Sequence, residues 1–168
     1  MHASMYTLSA PIFTRMLSNL DAILDKAIAH AAQRKIDPSV LMASRLFPDM
    51  LPMSRQVQVA CDFAKGGVAR LCGEEPPKWE DSEASLADLK ARIRRTIEFV
   101  DSFAPARFDG ADTRIVQLQM RGETVQLAGL DYLTKMLLPN FFFHVTTAYD
   151  LLRKDGVEIG KRDFVGPS

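Results

Sequence analysis

Residues 138–156 read LPNFFFHVTTAYDLLRKDG. Leu137, Phe141, Ala148 and Leu151 recur at helical steps, Pro139 stands near the start and Gly156 after the end. This is an apolar, aromatic-rich helix of a helical bundle. At 100° per residue, measured from His144, Leu151 falls at about −20°, Leu137 at about +20° and Ala148 at about +40°. Asn140, at about −40°, shares that arc. A polar pair one turn apart therefore lies on the face that the pattern turns inward. Buried polar groups must find partners, or each costs a few kcal/mol.

Three more long amphipathic segments precede this one. In the first, Ile12, Phe13, Met16, Leu20, Ile23, Leu24, Ala27 and Ala31 keep helical spacing, with Ser9 as the expected cap and Pro11 in the first turn. Asp37-Pro38 opens a short turn over 38–44. The second long helix is expected over 52–72. Gly66-Gly67 inside it implies close packing or a bend, because glycine costs up to ~1 kcal/mol against alanine in a helix. The third starts near Ser85 with the stripe Leu86, Leu89, Ile93, Ile97 and Val100. Lys90, Arg92, Arg94, Arg95 and Glu98 around it read as a solvated face. Residues 114–129, RIVQLQMRGETVQLAG, alternate and turn at Arg121-Gly122, which predicts a β-hairpin. The fourth helix spans about 130–154, broken by Pro139. The tail GVEIGKRDFVGPS has no period and reads as a surface wrap, with Phe164 as an anchor or with Lys161, Arg162 or Asp163 returning to a pocket mouth.

The chain has 168 residues, 47% hydrophobic and 25% charged, which suits one domain over 1–168. Lys+Arg and Asp+Glu are both 21, so the net charge is zero. That excludes the electrostatic footprint of a nucleic-acid binder. No apolar run approaches a membrane span. The opening MHASMYTLSAPIF lacks the basic segment and apolar core of a signal peptide, so the expected location is cytoplasmic. Cys61 and Cys72 stand about 16 Å apart along one helix, too far to pair, and read as buried thiols.

The second long helix holds a second anomaly. Gln56 lies among Phe63, Gly67, Ala60 and Met53 on the core side. Gln56, Asn140 and His144 thus compose a candidate polar pocket. Two ligands at i and i+4 plus one from a facing helix can also build a metal site in a bundle. A hydrogen-bonded structural histidine and a metal-free ligand-binding or catalytic histidine are the other readings.

The motif PNFFFHVTTAYDLLRKDGVEIGKRDFVG, residues 139–166, resembles the C-terminal signature of a group of bacterial proteins with no assigned reaction. They belong to the DinB/YfiT-like superfamily. DMLPMSRQVQVACDFAK, residues 49–65, is similar to that group's second-helix motif. The resemblance covers most of the chain. It implies an all-α fold, an up-down-down-up four-helix bundle with a small hairpin inserted between helices three and four. It also implies a metal site of three histidines, one from the second helix and two as H-x-x-x-H from the last. His144 matches the second of that pair and Asn140 stands at the first. Near the second-helix position stand Gln56 and, upstream, Asp49. His2 and His30 lie outside both motifs. A zinc, nickel, manganese or iron ion would then be held by His144 with Asn140, Gln56 or Asp49. The competing functions are a small-ligand-binding bundle, a metal-dependent enzyme of the superfamily type, and a structural or interaction protein.

Phe141, Phe142 and Phe143 point in three directions, so one is expected at a subunit contact of a homodimer, with ordinary packing against the hairpin or tail as the alternative. Trp79, in its Pro-rich loop, reads as a cap on the bundle or a stacking platform. Asp49 reads as a helix cap or a site carboxylate. Tyr6, Tyr132 and Tyr149 show no catalytic spacing, and no P-loop, dinucleotide or nucleophile-elbow motif occurs.

Overall fold

Apolar stripes at three- and four-residue steps become the long helices of a mostly helical protein. The computed structural model describes residues 4–120 and 122–167. His2 and Arg121 lie outside them. The chain runs α1 (Ala10–Arg34), α2 (Pro38–Ala43), α3 (Met53–Leu71) and α4 (Leu86–Asp101), then a 3-10 turn (Pro105–Phe108). Strands β1 (Ile115–Met120) and β2 (Glu123–Ala128) follow, then α5 (Gly129–Tyr132), a π-helical turn (Leu133–Leu137), α6 (Leu138–Lys154) and α7 (Lys161–Val165).

Local chemistry sets the ends of most of these elements. Asp37 caps α2 by accepting from Ser39 N at 2.9 Å, and Ser85 caps α4 by accepting from Asp88 N at 3.1 Å. Ser9 stands at the N-cap of α1, as expected, but its side chain makes no capping bond. It is buried, and its hydroxyl donates back to Met5 O at 2.6 Å, satisfying a carbonyl of the preceding turn. Asp49 does not cap α3 either. Pro52 occupies that position and Asp49 is exposed in the loop ahead of it.

The core lies among α1, α3, α4 and α6. α1 packs on α4 and α6, and α3 on the same two helices. Phe13 of α1 meets Phe141 of α6 edge to face, with ring centres 4.8 Å apart. The hairpin is antiparallel, with Val116 opposite Leu127 and Leu118 opposite Val125. Val116 is buried, so the hairpin lies against its own chain. The tail is more ordered than its lack of period suggests. Val157 and Ile159 are buried, α7 packs on α1, Phe164 meets Tyr149 edge to face, and Asp163 pairs with Lys26 at 2.6 Å. A five-residue helix is too short to show a period.

Pro139 has no N–H, and its ring collides with the carbonyl four residues back. The helical chain opens into the π-helical turn just ahead of it. Leu137, at the end of that turn, packs onto Gly67 of α3. A Cβ at Gly67 would stand 2.4 Å from Leu137 Cδ2, and Leu137 is fully buried. At Gly66 the neighbour is Arg70 Nη1 at 2.6 Å, the far end of a half-exposed side chain. The two glycines should therefore respond oppositely to alanine. Gly66→Ala is expected to gain up to ~1 kcal/mol from helix propensity. Gly67→Ala is expected to lose about 1–2 kcal/mol net, because overpacking outweighs that gain. Urea unfolding of the two variants measures this; equal effects would show that Leu137 yields freely.

Candidate functional site

Gln56 and His144 meet across the α3–α6 interface. His144 Nδ1 and Gln56 Oε1 are 2.7 Å apart. Gln56 is 1% exposed. Its amide nitrogen donates to Leu51 O at 3.1 Å, so its oxygen is the end facing the imidazole. A carbonyl oxygen only accepts, so Nδ1 carries the proton and donates. The neutral ring therefore keeps its lone pair on Nε2. Nε2 has no hydrogen-bond partner among the described residues, nor is it among the buried unsatisfied atoms. It is open to solvent or to a ligand.

Two aromatic rings hold the imidazole. Phe63 of α3 stacks on it with ring centres 5.7 Å apart at 18°, and Phe143 meets it edge-on at 5.2 Å. Burial pushes the His144 pKa below its ordinary value of 6.5. The neutral ring is thus the resident form at pH 7. By linkage, the stability tied to this shift is fully present above pH 6.5 and is lost as pH falls through the lower folded value.

Asn140 sits one turn earlier on α6, half-buried. Its amide nitrogen donates to Met136 O in the π-helical turn at 2.7 Å. Asn140 and His144, four residues apart, lie on the same helix face. Of the sequence-selected set, Gln56 and His144 come together directly and Asn140 shares their face. Asp49 stays exposed in its loop. His30 is elsewhere, its ring carbon Cε1 3.6 Å from a Cβ built on Gly156.

The donor set does not fit the metal that the superfamily resemblance implies. His144 offers one imidazole nitrogen, and Gln56 Oε1 is engaged by Nδ1. Asn140 adds only a neutral carbonyl, a weak donor for a transition ion. Among the described residues no three His, Cys, Asp or Glu side chains gather as a ligand cluster.

The family model described as "Domain of unknown function (DUF1993)" matches residues 5–165. The chain belongs to this family. The DUF1993 chain is also similar to the crystal structure of a DinB family member protein from Shewanella denitrificans at 1.83 Å resolution. The two share 44% identity over 97% of this chain and 92% of that one, with a TM-score of 0.92. No curated protein matches the chain.

A second polar cluster in the DUF1993 chain contradicts the solvated reading of α4. Arg92 and Lys90 are buried. Arg92 Nη1 donates to Glu80 O and Glu83 Oε1 and Nη2 to Asp62 Oδ1, each at 3.0 Å, and Nη2 forms an ion pair with Asp81 Oδ1, also at 3.0 Å. Gln58 Nε2 donates to Glu83 Oε2 at 2.6 Å, and Arg55 pairs with Asp81. Lys90 Nζ reaches Asp21 Oδ2 at 2.8 Å and Asp25 Oδ2 at 2.9 Å. The sequence did carry a signal for Arg92. It lies three residues after Leu89 and four before the buried Thr96, on the edge of the apolar arc. Trp79 lies against this cluster, with Lys65 Nζ 4.3 Å and Arg95 Cζ 4.1 Å from its ring centre.

The two thiols are free and buried. Burial pushes Cys61 up to about 12 and Cys72 up to about 11, which leaves both unreactive at neutral pH. No helix among the described residues is long and apolar enough to cross a membrane.

Proposed function

We propose that the DUF1993 chain is a small-ligand-binding domain whose recognition centre is Nε2 of His144, with Asn140 beside it and Gln56 behind it. The observation that carries this is the Gln56–His144 hydrogen bond. A buried amide, itself anchored to Leu51 O, fixes the imidazole tautomer and aims a bare lone pair outward. A purely structural histidine needs no such fixed free nitrogen. Nε2 and the Asn140 oxygen are both acceptors, so the favoured ligand presents N–H or O–H groups, as amines, amides and polyols do.

The up-down-down-up four-helix arrangement belongs to this reading. The packing of α1 and α3 each against α4 and α6 supports it. We also infer a homodimer. Of the three consecutive phenylalanines, Phe141 is buried and Phe143 is 54% exposed beside the site.

A thermal-shift screen of small amines, amides and polyols at pH 7.5 tests the ligand reading. A ligand at a hundred times its Kd stabilises by about 2.7 kcal/mol, roughly 5–10 °C for a chain of this size. The gain should vanish in His144→Ala and weaken in Asn140→Ala. Shifts of equal size in wild type and His144→Ala, or none in either, would sink it.

A further inference from the structure

The loop 45–52 between α2 and α3 is closed and pinned, yet it exposes apolar side chains. Met53 N donates to Ser44 O at 2.9 Å and closes its base. Lys154 of α6 donates to Ser44 Oγ at 3.1 Å and Arg45 O at 3.3 Å. Arg45 donates to Met50 O, Met50 N to Phe47 O, and Gln56 to Leu51 O. On this held frame Leu46, Phe47 and Leu51 are exposed, Phe47 at 64%. The side chain of Gln56 joins the loop at Leu51 to His144, whose ring Phe143 meets edge-on, and Phe143 is itself exposed. A fixed apolar surface of this kind marks an interaction site, and a pre-ordered one loses little entropy on docking.

The charges on the loop point to the occupant. It carries one cation, Arg45, and one anion, Asp49, both exposed. Neither enters an ion pair among the described residues. A single unpaired charge of each sign on one apolar loop is self-complementary. Across a two-fold axis, Arg45 of one copy meets Asp49 of the other, twice. The chain's zero net charge imposes no overall repulsion between copies.

We propose that the loop 45–52 together with Phe143 is the docking surface for a second copy of this chain, sealed by reciprocal Arg45–Asp49 pairs. This rests on the homodimer reading above and adds where the copies meet.

Sedimentation across a concentration series tests it, with circular dichroism confirming each fold. Wild type should sediment at twice 18.8 kDa. Phe47→Asp alters only an exposed side chain and should raise the dimer Kd at least about 30-fold, the scale of an interface hot spot. Arg45→Glu and Asp49→Arg should each weaken the homodimer, and an equimolar mixture of the two should recover it. A wild type that stays monomeric overturns both this proposal and the homodimer reading. A dimer indifferent to Phe47→Asp, or variants that fail to recover on mixing, overturns this surface alone. The His144 ligand screen is untouched by either result.

Discussion

Arg92→Ala should lose about 3–5 kcal/mol of stability, the cost of breaking a buried ion pair from one side. The Arg92 side chain is 2% exposed and Glu83, its partner, 12%. Four oxygens lie 3.0 Å from its two terminal nitrogens, three of them from carboxylates. Without the guanidinium, Asp62, Asp81 and Glu83 face one another with only Lys65, Arg55 and Gln58 to offset them. Arg92→Lys should recover only part of the loss, because one ammonium cannot reproduce the planar fork. The penalty also has a pH signature. Burial tends to raise the Asp81 carboxyl, but hydrogen bonding and charge from Arg55 and Arg92 outweigh it and hold the group below 3.8. Stability from a lowered carboxylate is present above its unfolded value and is lost as pH falls through the folded one. The gap between wild type and Arg92→Ala should therefore narrow below about pH 4. Thermal unfolding from pH 7 to pH 3 would show it, as a difference of roughly 6–20 °C shrinking with acid. A gap that stays constant would mean that lost packing, not charge, dominates.

Arg92 also shows where sequence reasoning stops. Residues whose effect is local are legible. Asp37, Ser85 and Gly156 mark ends because caps and left-handed turns act within a few residues, and Pro139 marks the break in the last helix for the same reason. The long stripes of α1, α3 and α6 identify a helical bundle because burial follows period. Arg92 sits at the edge of the α4 stripe, but its partners come from α3 and from the loop at 80–83. No local pattern announces that those carboxylates will converge. α7 is illegible for the same reason. It is held by Lys26, Asn19 and Arg15 of α1, more than a hundred residues away.

The candidate site divides along the same line. The helix angles place His144 and Gln56 on facing core sides, and the structure brings them to 2.7 Å. The angles do not say which end of an amide faces which neighbour. Leu51 O decides that, and with it the tautomer and the chemistry of Nε2. A loop carbonyl thus turns a buried polar pair into an outward acceptor. The same loop carries the exposed Phe47 and Leu46, so the segment that orients the site also forms the proposed docking surface.

Gly129→Ala should cost about 3 kcal/mol or more, beyond the usual range of overpacking, because the obstacle is backbone. Gly129 joins β2 to α5. A Cβ there would stand 1.8 Å from Ala111 O and 3.0 Å from Ala111 C. No rotamer relieves a clash with a carbonyl. Either the junction or the 108–112 turn must move by more than an ångström, roughly, to reach ordinary contact. Both are fixed. Leu130 N donates to Asp112 O at 3.0 Å, and Ala111, Phe108 and Tyr132 are buried around the junction. Phe108 in turn meets Tyr6 edge to face at 5.4 Å, tying the turn to the segment ahead of α1. Moving the turn therefore strips the hairpin from the bundle and loosens the entry to the last helix. Gly160→Ala is the control. No atom lies within 4 Å of its added Cβ and its φ is −139°, so little change is expected. Urea unfolding of the pair should separate them by at least about 3 kcal/mol, and amide exchange in Gly129→Ala should rise first in β1 and β2. If Gly129→Ala instead matched Gly160→Ala, the hairpin would have to be an appendage that shifts freely, and its buried Val116 would contribute nothing to holding it on the bundle.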